Sequence, residues 1–149
     1  MSVMRVVERG VAPATPAVVY GVVSDYREAH PRILPPEAFE SLVVERGGVG
    51  AGTVIRVRVK AFGRVREFVA EVSEPEPGRL LVERDLETGL TTTFTVGEGP
   101  RPGTSAVEFR TEWEARGIRG RIEGLLARSW MRRVYRRELA ILAEFVRGR

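Results

Sequence analysis

An α+β domain is the fold class that the sequence predicts, with residues 1–149 as one unit: a seven-stranded antiparallel meander and a long C-terminal helix. Three observations predict it. Across residues 118–145 no proline occurs, and Ile118, Ile122, Leu125, Leu126, Trp130, Val134, Leu142 and Phe145 recur at helical spacing among good helix formers. At 1.5 Å per residue this helix spans roughly 40 Å, long enough to need a sheet beneath it. Between residues 39 and 113, short runs alternate apolar with polar or charged residues and are separated by Gly and Pro. No repeat, low-complexity tract or linker divides the chain.

Residues 3–11 alternate loosely between branched apolar and charged types, as a half-buried first strand does. Thr15 as N-cap, Pro16 at the first helical position and an apolar face of Val18, Val19, Val22 and Val23 predict a short helix ending before Asp25. Three prolines in residues 27–39 forbid a continuous helix there, so a loop or a broken short helix is expected, of the kind that rims pockets. Strand two covers residues 39–46 and turns through a glycine-rich segment. Residues 53–61 follow, with Thr53, Ile55, Val57 and Val59 on one face and Arg56, Arg58 and Lys60 on the other. After a turn at Phe62-Gly63, residues 65–72 put Phe68, Ala70 and Val72 on one side and Glu67 and Glu71 on the other. Pro75 and Pro77-Gly78 then break the chain, and residues 79–85, 91–96 and 105–113 complete the strands.

Composition excludes several classes. Hydrophobic content of 43% and charged content of 30% argue against disorder, and no apolar run approaches the roughly eighteen residues of a spanning helix. The opening MSVMRVVERG lacks the apolar block of a signal peptide, so a soluble cytoplasmic protein is expected. Cysteine is absent and His30 is the single histidine, which leaves no ordinary metal-ligand set; neither metal nor cofactor is expected. A net charge of +4 makes anionic partners worth weighing.

The opening helix, with Ala14, Pro16, Val19, Tyr20, Val23, Asp25 and Tyr26, the glycine-rich turn Gly47-Gly48-Val49-Gly50-Ala51-Gly52-Thr53, the break at residues 75–80 and the C-terminal helix together make a pattern. It resembles the polyketide cyclase/dehydrase and START-like lipid-transfer superfamily, whose helix-grip fold is shared with the major birch pollen allergen proteins of plants. The resemblance covers essentially the whole chain; Tyr20 stands where the family often has tryptophan. It implies a curved antiparallel sheet wrapped around the last helix, with one or two short helices after strand one and an apolar cavity for a hydrophobic ligand. Members range from carriers of lipids, quinones and hormones to aromatase/cyclases, so fold alone leaves function open.

Candidate ligand contacts follow from strand alternation. Ile55, Val57, Phe68 and Ala70 face the helix; Val82, Phe94, Phe109 and Trp113 line the same concave side, and Thr111 and Arg84 share it at even offsets. Trp130 and Met131 contribute from the helix, although such residues at helical spacing are usually plain core. An inward Arg84 needs a carboxylate or an oxygen-bearing ligand; otherwise it snorkels at a sheet edge. Arg84, His30 and Tyr26 are the candidates for catalysis, His30 as a proton shuttle and Tyr26 orienting a carbonyl, against the ordinary expectation of a surface histidine in a Pro-rich loop. Gly120 and Gly124 mark either close approach to the sheet or room for a ligand. The glycine-rich turn lacks the Gly-Lys-Ser/Thr ending of a phosphate loop and reads as a hairpin turn. Arg128, Arg132, Arg133, Arg136 and Arg137 form a basic helix face without interleaved aromatics, so nucleic acid is not expected.

Three functions fit this reading. A module holding a hydrophobic lipid-like, quinone-like or aromatic polyketide-like molecule comes first, because no inward acid–base set emerges from the alternation. A polyketide cyclase/dehydratase-like enzyme is the alternative, and a partner-binding protein using the arginine face is the third. Oligomeric state is open.

Overall fold

The computed structural model describes residues 2–149. Its strands are β1 (Ser2–Ala12), β2 (Phe39–Arg46), β3 (Val54–Ala61), β4 (Arg64–Glu76), β5 (Leu80–Asp85), β6 (Thr91–Glu98) and β7 (Ser105–Ala115). Helices α1 (Pro16–Ser24) and α2 (His30–Ile33) follow β1, and α3 (Gly117–Val146) ends the chain. All neighbours pair antiparallel in the order β1-β7-β6-β5-β4-β3-β2, a curved sheet against a long C-terminal helix in the helix-grip arrangement.

The strongest alternation yields the expected register. Ile55 pairs with Ala70 and Val57 with Phe68 on the inner side. Outside, Arg56 bonds Glu45 at 2.6 Å and Glu67 at 2.8 Å. β4 runs on through Pro75 to Glu76, past the predicted end at Val72, because a register shift between Ser73 and Glu76 removes the ladder bond that proline lacks. Thr15 occupies the N-cap of α1 as expected, but its side chain makes no capping bond; its carbonyl accepts from Val19 N–H at 3.0 Å.

The glycine-rich turn carries positive φ at Gly47, Gly48, Gly50 and Gly52 and packs against the end of α1. A Cβ on Gly48 would sit 2.0 Å from Arg27 Nε, and one on Gly50 2.2 Å from Glu74 Oε1. This close approach lets the Gly48 carbonyl accept from Tyr26 N–H at 2.8 Å and the Ser24 carbonyl accept from Gly50 N–H at 2.9 Å. The turn thereby fixes the backbone that aims Tyr26 inward.

α3 departs from the single apolar face that its spacing predicts. Ile118, Ile122, Leu125 and Leu126 point to solvent, whereas Gly124, Val134, Glu138, Leu142 and Val146 are buried. The cause is geometric: each step along Ile118, Ile122, Leu126, Trp130 and Val134 overshoots one turn by roughly 40°, so the ladder rotates roughly 160° around the helix. Small residues face β1 instead. A Cβ on Gly124 would lie 3.2 Å from the Met4 side chain, which settles that glycine as a point of close approach.

Candidate functional site

Across the middle of the sheet, register aligns Val72, Glu83, Thr92, Thr111 and Val6, and beside them Leu81, Phe94 and Phe109. Aromatic rings fill the space over this floor: Tyr26 stacks on His30 at 4.5 Å, His30 meets Phe94 edge-on at 5.8 Å, Phe94 meets Phe109 at 4.8 Å and Phe109 meets Tyr135 at 5.8 Å. Such edge-on contacts suit the ring quadrupoles and hold each ring rigidly.

Polar groups are embedded in this column. Tyr26 Oη donates to Glu83 Oε2 at 2.5 Å, and His30 Nε2 stands 3.9 Å from the same oxygen. His30 Nδ1 lies 2.6 Å from the Val23 carbonyl. A carbonyl can only accept, so Nδ1 carries the hydrogen and Nε2 faces Glu83 as the exchangeable nitrogen. On α3, Glu138 is 2% exposed. Burial first, and repulsion from Glu83 second, push its carboxyl well above the ordinary carboxylate range. No hydrogen bond or ion pair to it is present among the described residues. Glu83, whose side chain is 15% exposed, is raised by burial, with His30 and the Tyr26 bond pulling the other way. Burial, then Glu83, raises Tyr26, and burial pushes Tyr135 up to about 12. The Tyr135 hydroxyl lies 2.5 Å from Thr111 Oγ1, itself 2.8 Å from Thr92 Oγ1, the register partner of Glu83.

Two carboxyls, two phenols and an imidazole therefore meet inside an otherwise apolar interior. Burial favours the protonated form of Glu138, a proton donor with no hydrogen-bond partner among the described residues, and Glu83 lies beside His30 as a pair able to take a proton.

The sequence-predicted residues distribute unevenly around this centre. Phe94, Phe109, Thr111, Ile55, Val57 and Ala70 are buried, and Phe68 packs half-buried against the core. Tyr26 and His30 belong to the cluster; the expected surface position of His30 is overturned, because its ring is sandwiched between Tyr26 and Phe94. Arg84 is corrected outright: it is exposed on the outer face between Glu71 and Thr91, and Val82 shares that face. Leu81 and Glu83 point inward instead, because they pair with inward Phe94 and Thr92. Leu80, Leu81 and Val82 are consecutive apolar residues, so alternation along β5 reads equally well in both registers. Trp113 is half-buried beside Met4, outside the ring column. Glu83 and Glu138 were missed; the available signals were the short β5–β6 turn, which ties Leu81 to Phe94, and a carboxylate midway between Val134 and Leu142 on the buried side of α3.

Two open clefts flank Trp130 at the surface. One, of about 350 Å³, lies between the β3–β4 turn (Phe62, Gly63, Val65) and Trp130. The other, of about 340 Å³, is lined by Pro35, Ala38, Trp130, Arg133, Val134 and Arg137. Glu37 borders both. Met131 is half-buried on the adjacent side of the helix. Val134 is one helical turn from Glu138 on the same side of α3, so the second cleft ends a turn short of the buried carboxyl. Arg136 and Arg137 of the basic face are tied to Glu8 and Glu37.

The family model described as polyketide cyclase / dehydrase and lipid transport matches residues 4–147. Comparison with curated protein sequences gives no match. Among solved structures, the solution structure of the KanY protein shares 31% identity over 99% of this chain and 100% of that one, with a TM-score of 0.84. A START superfamily protein from Mycobacterium smegmatis has 16% identity, 96% and 99% coverage and a TM-score of 0.75. The Zhui aromatase/cyclase from a Streptomyces species has 17% identity, 96% and 93% coverage and a TM-score of 0.73. The last two likenesses are likenesses of fold.

Proposed function

Since the chain belongs to the polyketide cyclase/dehydrase and lipid transport family, we propose that it binds a hydrophobic small molecule, lipid-like, quinone-like or aromatic and polyketide-like, whose oxygen-bearing end meets Glu138. The observation that carries this reading is the buried carboxyl of Glu138, which has no hydrogen-bond or ion-pair partner among the described residues. A neutral acid in an apolar interior is costly unless something accepts its hydrogen bond. A ligand carbonyl or hydroxyl is the chemistry that does so. The apolar body then lies along Val134, Ala38 and Trp130 in the cleft, where burial of carbon surface supplies most of the affinity. Native mass spectrometry of protein purified from its own host tests the reading: a copurified hydrophobic molecule bearing a carbonyl or hydroxyl is expected, and reproducible absence of any bound molecule, together with failure of apolar dyes to bind, counts against it.

One observation favours a second reading, a cyclase/dehydratase-like activity. Glu138 is an acid, Glu83 with His30 is a base, and both face the same interior. Removal of a proton beside a ligand carbonyl by the Glu83–His30 pair, with Glu138 donating to that carbonyl oxygen, is the elementary step of an aldol cyclisation or a dehydration. Likeness in fold to an aromatase/cyclase supports this reading without deciding it.

A further inference from the structure

The first half of α3 is built inside out. Gly120, Gly124 and Ala127 lie toward the body of the protein, while Ile118 is 79% exposed and Ile122, Leu125 and Leu126 are each more than half exposed. Four large aliphatic side chains in one stripe exceed the scattered exposure of an ordinary surface. Nothing among the described residues covers them. Six arginines stand against one glutamate between Arg116 and Arg133. Arg116 and Arg119 reach Glu114 and Glu123; Arg121, Arg128, Arg132 and Arg133 have no ion pair among the described residues.

The β3–β4 turn adds an independent observation. Phe62 has a φ of +53° beside Gly63 at +72°, a two-residue turn in which the first position favours Asn, Asp or Gly. A phenylalanine held in the left-handed region is strained and, here, 63% exposed. Neither core packing nor turn chemistry accounts for it. Phe62 shares a cleft with Trp130, and Trp130 lies one turn from Leu126, so the tip and the helix stripe border one mouth.

We infer that this surface, the outward stripe of α3 with the Phe62 tip, docks in the plane of an anionic lipid surface. Charge decides between occupants: a second copy seated on the same stripe brings two strongly basic segments together, whereas anionic headgroups satisfy the arginines while the acyl boundary receives the aliphatic side chains. No helix of the described residues is long and apolar enough to cross a membrane, so α3 lies on the surface rather than spanning it. This inference stands on the helix and the turn alone, and the ligand reading can fail without it.

Vesicle flotation tests it, with phosphatidylcholine vesicles carrying or lacking phosphatidylglycerol. The full-length protein is expected to float with the phosphatidylglycerol vesicles at low salt and far less with phosphatidylcholine alone. Arg128→Gln with Arg132→Gln should lower partitioning about twenty-five-fold, at about fivefold per charge near the surface. Ile122→Glu with Leu125→Glu should abolish it, and Phe62→Asn, which relaxes the turn, should weaken it while leaving the fold intact. Because all these side chains are exposed, circular dichroism should match wild type for every variant, and thermal melts should match it or, for Phe62→Asn, lie above it. The inference is overturned if the protein ignores both vesicle types, if the variants float as wild type does, if light scattering shows a dimer that Leu125→Glu dissolves, or if a DNA duplex retains the protein while vesicles do not.

Discussion

Tyr26 Oη lies 2.5 Å from Glu83 Oε2, joining the loop after α1 to the middle of the sheet through a part-buried hydrogen bond. Without it, Glu83 keeps only His30 at 3.9 Å, and its carboxyl loses one of the two influences that favour its charged form. Tyr26→Phe, which preserves the stack on His30, is therefore expected to destabilise the fold by about 1–3 kcal/mol at neutral pH. Urea unfolding measures this, and an unchanged midpoint means that the bond contributes nothing net.

Glu138 makes stability depend on pH in the direction opposite to an ion-paired carboxylate. Its native pKa lies above the unfolded value, so between the two the folded state holds a proton that the unfolded chain has released. Stability is full below the usual carboxylate range and falls as pH rises toward the native pKa, by up to about 1.4 kcal/mol per pH unit for this group. Glu83 adds to the same trend. Glu138→Gln should flatten the profile and raise stability at neutral pH; denaturant midpoints of both proteins across mildly acid to neutral pH check it.

Arg84→Met should leave apolar and carbonyl-bearing ligands bound as before, because the guanidinium lies on the outer face of β5. A selective loss of carbonyl-bearing ligands, read by dye displacement, would return Arg84 to the site.

Trp130 borders both clefts, whereas Trp113 lies apart on β7. Ligand entry should shift the emission of Trp130, and Trp130→Phe should remove most of the response while Trp113→Phe retains it. The reverse pattern moves the entrance to the β1–β7 side.

Where one face of an element is charged and the other apolar, as with Arg56 and Arg58 against Ile55 and Val57, the sequence shows the strand and its inward side together. α3 was legible in extent for the same reason that its facing was not: a run free of proline announces a helix, but an apolar ladder at every fourth residue does not stay on one side. The inward residues of β5 were hidden by Leu80, Leu81 and Val82, which are apolar in either register. Glu83 and Glu138 were hidden by a deeper cause, since patterning assigns carboxylates to solvent and a buried acid at a binding site breaks the rule that finds cores. Burial of His30 depends on Tyr26 from the loop after α1 and Phe94 from β6, contacts that no local pattern contains.

The most direct test of the central claim, that Glu138 meets the oxygen of a hydrophobic ligand, is a pair of calorimetric titrations with an aromatic quinone and the hydrocarbon of the same ring outline. Each is run on wild type and on Glu138→Leu. Wild type is expected to prefer the quinone by about 1–3 kcal/mol, the range of a buried hydrogen bond, and the variant to lose that preference while binding the hydrocarbon as well or better. Equal preference for the quinone in both proteins, or no binding of either compound to wild type, would contradict it.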